Sequence, residues 1–295
     1  MRTMTALIKR EFLEHRGAFF YAPSLLLAIV SIAILFAVLT GNAEFDLPEA
    51  PMPGADQTYQ VGVAGTFIAW LVYLQIGLFF YYADAFSADR RNNALLFWKS
   101  MPQSDLKVLT AKALSGITIF LALIFGFALL TAILVYVVLL LVSAQHSFIA
   151  APGPIEAAWT LVQMSVVAAI YFVLALLWNA PWLAWVAGLS TLFRRWSIPL
   201  AFLIPGTVIL LEYLNSIRGP GYGRPIAEFF SWRFEGFPDD AEAAAILLGH
   251  TEGGAFALMK LIISDIDWLH MGTGLIFTAA VVYLASEYRR RRIEA

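Results

Sequence analysis

The sequence predicts an all-α polytopic membrane protein with six transmembrane helices, and three observations carry that expectation. Of its 295 residues, 60% are hydrophobic and 14% are charged, whereas a soluble domain carries about 25% charged residues. The apolar residues gather into runs of roughly 20, about the length a helix needs to cross a hydrocarbon core. The basic residues are sorted to one side of those runs. An N-terminal amphipathic interfacial helix, a short cytoplasmic helix and short outer re-entrant helices complete a single transmembrane domain over residues 1–295.

The N-terminal segment 1–21 comes first. Met4, Leu7, Ile8 and Phe12 recur at helical spacing, with Lys9, Arg10, Glu14 and Arg16 on other faces. That pattern predicts a helix lying in the inner headgroup layer; a cytoplasmic cap packed on protein is the alternative. The first apolar run, 22–40, exceeds a signal-peptide core of about 7–15 residues and follows Glu11 and Glu14. It reads as a retained span.

Further spans are expected at 61–83, 113–142, 161–192, 198–211 and 269–287. Asn179 and Pro181 lie inside the fourth, where a kink or break is expected. With the N-terminus inside, cytoplasmic segments hold 15 of the 19 basic residues. Only Arg218, Arg224, Arg233 and Lys260 fall outside. Both termini are therefore expected in the cytoplasm. The outer loop 41–60 carries Pro48, Pro51 and Pro53 and reads as irregular. The outer segment 212–268 has apolar stretches too short to span, so short helices dipping into the outer leaflet are expected.

No catalytic or metal site is predicted. There is no phosphate-binding Gly-x-x-x-x-Gly-Lys-Ser/Thr, no His-Glu-x-x-His and no cysteine. His270 with Asp265 and Asp267 could hold a metal at the outer face; ordinary interfacial polar residues are the alternative.

Two groups of residues stand out. In the cytoplasmic segment 84–112, a helix over 87–98 places Phe97 and Trp98 beside Arg90, Arg91 and Lys99, with Asn92 and Ser100 in the same stretch. Such a mixed apolar and basic surface suits a protein partner; a loop packed on its own helices is the alternative. Pro102 ends that helix, and Ser104 with Asp105 forms an N-cap and acidic first turn for the next. In the second span, Trp70, Tyr73, Gly77 and Tyr81 share one helical stripe. With Asn179 of the fourth span, they are expected to face another subunit or a translocation pathway; packing against spans of the same subunit is the alternative.

The runs Asp89-Arg-Arg-Asn-Asn, Leu96-Phe-Trp-Lys-Ser-Met-Pro-Gln-Ser-Asp105 and 109–112 resemble the first cytoplasmic loop of type-2 ABC transporter permeases. Leu176-Leu-Trp-Asn-Ala-Pro-Trp-Leu-Ala-Trp185, followed by Ser190, Arg194-Arg195, Pro199 and Glu212, resembles the fourth and fifth spans of bacterial members. Leu7-Ile-Lys-Arg-Glu-Phe12 is similar to their entry helix. The resemblance implies the membrane subunit of a bacterial inner-membrane exporter. Its partners would be a cytoplasmic P-loop ATPase, a second permease copy or homologue, and membrane lipid, with no nucleic acid. The segment Arg90–Ser100 would be the coupling helix docked in the ATPase. ATP and Mg would sit on that partner, leaving this chain without a cofactor or enzymatic activity. A secondary transporter or channel is the competing reading, opposed by the near absence of charge within the spans. A membrane-embedded enzyme or an assembly scaffold is the third.

Overall fold

A computed structural model describes residues 2–40, 54–91, 104–145, 150–217, 224–235, 240–247 and 254–293. These are helical almost throughout, with no strand among the described residues. Five continuous helical stretches are long and apolar enough to cross a membrane: Met4–Leu39, Ala55–Ala88, Asp105–Gln145, Pro154–Ile217 and Trp268–Arg291. The chain is an all-α polytopic membrane protein. Its exterior is built for lipid: Leu25, Ile29, Ile32 and Phe36 on one helix and Leu269, Ile276 and Leu284 on another are all exposed.

The N-terminal helix α1 (Arg2–Arg16) passes through a π-helical turn, Gly17–Tyr21, directly into α2 (Ala22–Leu39). The entry helix and first span are thus one stretch rather than two elements separated by a loop. Pro23 lies just after the π-helical turn, and the helix continues through it. The next helix, α3 (Ala55–Arg91), has 37 residues. At 1.5 Å per residue it is about 55 Å long, well beyond a hydrocarbon core of about 30 Å. The second span and the start of the cytoplasmic segment therefore form one helix, and Ser87–Arg91 is its last stretch.

Ser104 begins the next stretch as expected. Its backbone is extended and its hydroxyl accepts from the Lys107 N–H, capping α4 (Asp105–Ser115). A second π-helical turn, Gly116–Phe120, joins α4 to α5 (Leu121–Gln145).

The fourth span, α6 (Pro154–Phe193), runs for 40 residues and continues as helix past Pro181 without a break. Arg194 takes a φ of +53° and, with the short turn Arg194–Trp196, reverses the chain into α7 (Ser197–Ile217). The Ser197 hydroxyl donates to the Ala83 carbonyl at 3.0 Å and ties this turn to the inner end of α3. Short helices α8 (Pro225–Glu235), α9 (Asp240–Leu247) and α10 (Gly254–Ser264) precede the last helix, α11 (Trp268–Ile293).

The core lies between α3 and α6, with α5 and α11 on either side. Lipid offers helices no hydrophobic reason to associate, so close packing and internal hydrogen bonds must hold them. Ala128, Ala132, Ala157, Ala168 and Ala175 are buried at these contacts. Tyr59 donates to the Ala132 carbonyl at 3.3 Å, and Trp70 Nε1 donates to the Thr131 hydroxyl at 2.9 Å.

Candidate functional site

At the end of the bundle where α1, α4 and the C-terminal part of α11 meet, α4 is held from two sides. Glu11 of α1 is 4% exposed and Lys112 of α4 is 2% exposed. The Lys112 ammonium is 3.4 Å from Glu11 Oε1. The Tyr81 hydroxyl lies 2.9 Å from Glu11 Oε2 and 3.1 Å from the Lys112 carbonyl oxygen. His15 closes the group edge-on to the Tyr81 ring at 4.8 Å. Beside it the two π-helical turns meet: Phe19 and Phe120 stack at 3.9 Å between centroids. On the other side, Arg289 of α11 is 1% exposed, and its Nε is 3.5 Å from Asp105 Oδ1.

Burying an ion pair costs desolvation that Coulomb attraction repays only when the remaining polar atoms are also bonded. Glu11 meets that condition through Lys112 and Tyr81. The composition of α1 hides this arrangement, since its most buried residue is charged while Leu13 is exposed. Glu11, Glu14 and His15 also lie close enough to share a metal. Their carboxylates are already engaged, Glu11 by Lys112 and Glu14 by Arg10 at 2.6 Å.

The residues of the stripe on α3 make contacts with the chain's own helices. Trp70 stacks on Phe127 of α5 at 5.6 Å. The Tyr73 hydroxyl donates to the Ala18 carbonyl at 2.6 Å. A Cβ on Gly77 would lie 3.2 Å from the Phe19 ring. Tyr81 binds Glu11 as described. Gly77 thus leaves room for the Phe19 ring, and the tyrosines anchor the N-terminal stretch on either side of it. The outward face of α3 is instead Ile68, Val72, Ile76 and Phe80, all exposed.

Asn179 is placed differently. Its amide donates to the Ala175 carbonyl at 2.9 Å, and Gln75 of α3 reaches the same carbonyl at 3.4 Å. Both line a cleft of about 410 Å³ that opens beside Phe80 and Phe202. Of the docking residues, Arg90 and Arg91 end α3, and Asn92, Phe97, Trp98, Lys99 and Ser100 lie outside the described residues.

Sequence reading missed Arg233. Its position in an outer segment implies solvent, yet it is 7% exposed. Helix α8 carries it against the interior of α6, where it donates to the Trp178 carbonyl while Trp178 Nε1 donates to the Arg233 carbonyl at 2.9 Å. Its guanidinium stands 4.3 Å from the Trp178 ring centroid. Pro181 has no N–H for the Leu177 carbonyl four residues before it, and Arg233 adds a side-chain donor to the neighbouring Trp178 carbonyl in the same turn. Glu212 of α7 fixes the start of α8 by accepting from the Ile226 and Ala227 N–H groups, both at 2.9 Å.

Asp267 caps α11, accepting from the His270 N–H at 3.1 Å and from its ring at 2.6 Å. These bonds hold its carboxyl below the ordinary range. A depressed folded-state pKa contributes stability above the unfolded value, and that stability is lost as pH falls through the folded one. Protection factors of the His270 and Met271 amides, referred to the intrinsic exchange rate at each pH, are expected to fall below the ordinary carboxylate range and to stay level above it. Asp267→Asn, whose side chain does not titrate, should remove that fall. An unchanged profile in the variant would show that another group frays this end.

Compared with protein-family models, curated proteins and solved structures, the chain has no match.

Proposed function

We propose that the chain is the membrane subunit of an ATP-driven exporter of the type-2 ABC permease class. In this reading it crosses a bacterial inner membrane six times, with both termini in the cytoplasm, and pairs with a second permease. Residues 154–217 supply two of the passes, since a straight helix of that length would be about 96 Å long and Arg194 turns it back. The observation that carries the reading is the double attachment of α4. This helix follows the proposed docking segment Arg90–Ser100 directly, and it is ion-paired to α1 on one side and α11 on the other. A displacement imposed on that segment by a closing ATPase would move α4. It would reach the first span through Glu11 and Lys112 and the last through Asp105 and Arg289. The gap between Gln75 and Asn179 is the polar place among the spans where a pathway could open.

The experiment is co-expression and co-purification with P-loop ATPase subunits of the same genome. Truncating hot-spot side chains typically costs about 2 kcal/mol or more, roughly thirtyfold in affinity. Phe97→Ala with Arg91→Ala is expected to weaken ATPase binding by about that factor and to leave insertion intact. Normal binding with wild-type transport would remove this segment as the coupling element. Because the chain has no cysteine, topology can be read separately. Cysteines placed at Asp56 and Ala295 should label from opposite sides of the membrane.

A secondary transporter is the second reading, and Arg233 is the observation that favours it, because an ionisable group against a span interior is a frequent mark of such transporters. Transport that follows an ion gradient and ignores ATP would select it.

A further inference from the structure

We propose that the cavity enclosed by α6, α7, α8 and α11 binds an amphiphilic anion, with an aliphatic chain between its aromatic walls and an anionic head on the Arg233 guanidinium. The cavity has a volume of about 440 Å³, in the range of small-molecule sites. Trp182, Trp185, Ile204, Phe229, Phe230 and Phe277 form its walls. Phe229 and Phe277 are exposed, so the mouth opens on the apolar exterior rather than on water alone. That matches a ligand arriving from the lipid phase.

The charge at the cavity decides the class of ligand. Arg233 lines it together with His270 and Thr273, and no carboxylate residue does. The guanidinium has a carbonyl and two indole faces around it, Trp178 at 4.3 Å and Trp232 at 6.0 Å. These are neutral groups. They satisfy donors and stabilise the cation, but they do not cancel its charge. Among the described residues no acidic side chain pairs with Arg233. Asp267, which caps α11, is engaged by the His270 N–H and ring. A cation buried to this degree in an apolar wall is costly unless an anion completes it. Arginine presents forked donors that suit carboxylate and phosphate oxygens alike. A neutral amphiphile would leave the charge uncompensated, and a cationic one would be repelled.

Gly274 shows that the position of Arg233 is built into the bundle. A Cβ there would fall 2.9 Å from Arg233 Nη2 and 2.7 Å from the Pro181 ring. The absent side chain on α11 leaves the space that the guanidinium occupies.

The site requires no ATP coupling, so its test is independent of the exporter reading. The full-length protein in phosphatidylcholine nanodiscs is titrated with three probes of equal chain length: 12-bromododecanoate, 12-bromododecyl phosphate and 12-bromododecanol. Bromine quenches the indoles that line the cavity, and saturable quenching reports binding there. An anionic hydrogen-bond partner is expected to favour the two anions over the alcohol by about tenfold or more. The tighter of the two anions identifies a fatty-acid or a lipid-phosphate source. Arg233→Gln should abolish the preference, and Arg233→Lys should retain most of it. Phe277→Trp, which narrows the mouth and leaves Arg233 in place, should weaken all three probes together and covers the case in which Arg233→Gln does not fold. Equal affinity for anions and alcohol in the wild type overturns the proposal. So does a preference that survives Arg233→Gln.

Discussion

Lys112→Met is expected to destabilise the folded chain by about 3–5 kcal/mol, because it leaves the Glu11 carboxylate buried without its counter-charge. Tyr81 still reaches Glu11, at 2.9 Å, but one neutral hydroxyl does not balance a full charge in a site that is 4% exposed. Glu11→Leu combined with Lys112→Met removes both charges together, and apolar replacements of a buried pair are often neutral or stabilising. The double variant should therefore recover most of the loss. Thermal unfolding of the four proteins in detergent measures the coupling as a double-mutant cycle. Additive losses would mean that the two side chains do not depend on each other. The same double variant separates stability from transmission. Under the exporter reading it folds but passes ATP-driven motion to the first span poorly, so ATPase stimulation by substrate should fall while ATPase binding persists.

Gly274→Val should be the second damaging change. Adding a side chain within a helix ordinarily helps, since glycine costs about 1 kcal/mol relative to alanine. Here the first added carbon would already be 2.7 Å from the ring of Pro181, which cannot rotate away. Overpacking of this kind typically costs about 1–3 kcal/mol, which exceeds the propensity gain. Valine adds further bulk against Arg233 and should dislodge it from Trp178. Gly272 provides the contrast, with nothing within 4 Å of its potential Cβ. Gly272→Ala should stabilise by up to about 1 kcal/mol. Melting temperatures that move in the same direction for the two variants would contradict the packing account.

The apolar runs made the long helices legible, because hydropathy reports directly on contact with lipid. Ser104 was legible for a different reason: its cap depends on neighbouring residues only. What could not be read was which way each helix faces. The Trp70–Tyr81 stripe has the right spacing for a common face, but spacing does not say what the face meets. It meets Ala18, Phe19 and Glu11 of the same chain. Arg233 was hidden because the sequence around it is short and mixed, and only the position of α8 against α6 buries it. Glu11 was hidden for a related reason. Amphipathic reading assigns charges to water, whereas Glu11 finds its partner on a helix distant in sequence. The turn after α6 was legible too: separate spans at 161–192 and 198–211 leave 193–197 between them, and the reversal falls at Arg194–Trp196.

The two ion pairs that grip α4 differ in when they can form. A chain is synthesised from its N-terminus, so Glu11 is already present when Lys112 emerges, and that pair can close as soon as α4 is inserted. Asp105 must wait for Arg289, which comes among the last residues of α11. Until then the bundle is latched on one side only. A polypeptide lacking α11 holds α4 through Glu11 alone, so the last helix to be made is the one that completes the grip.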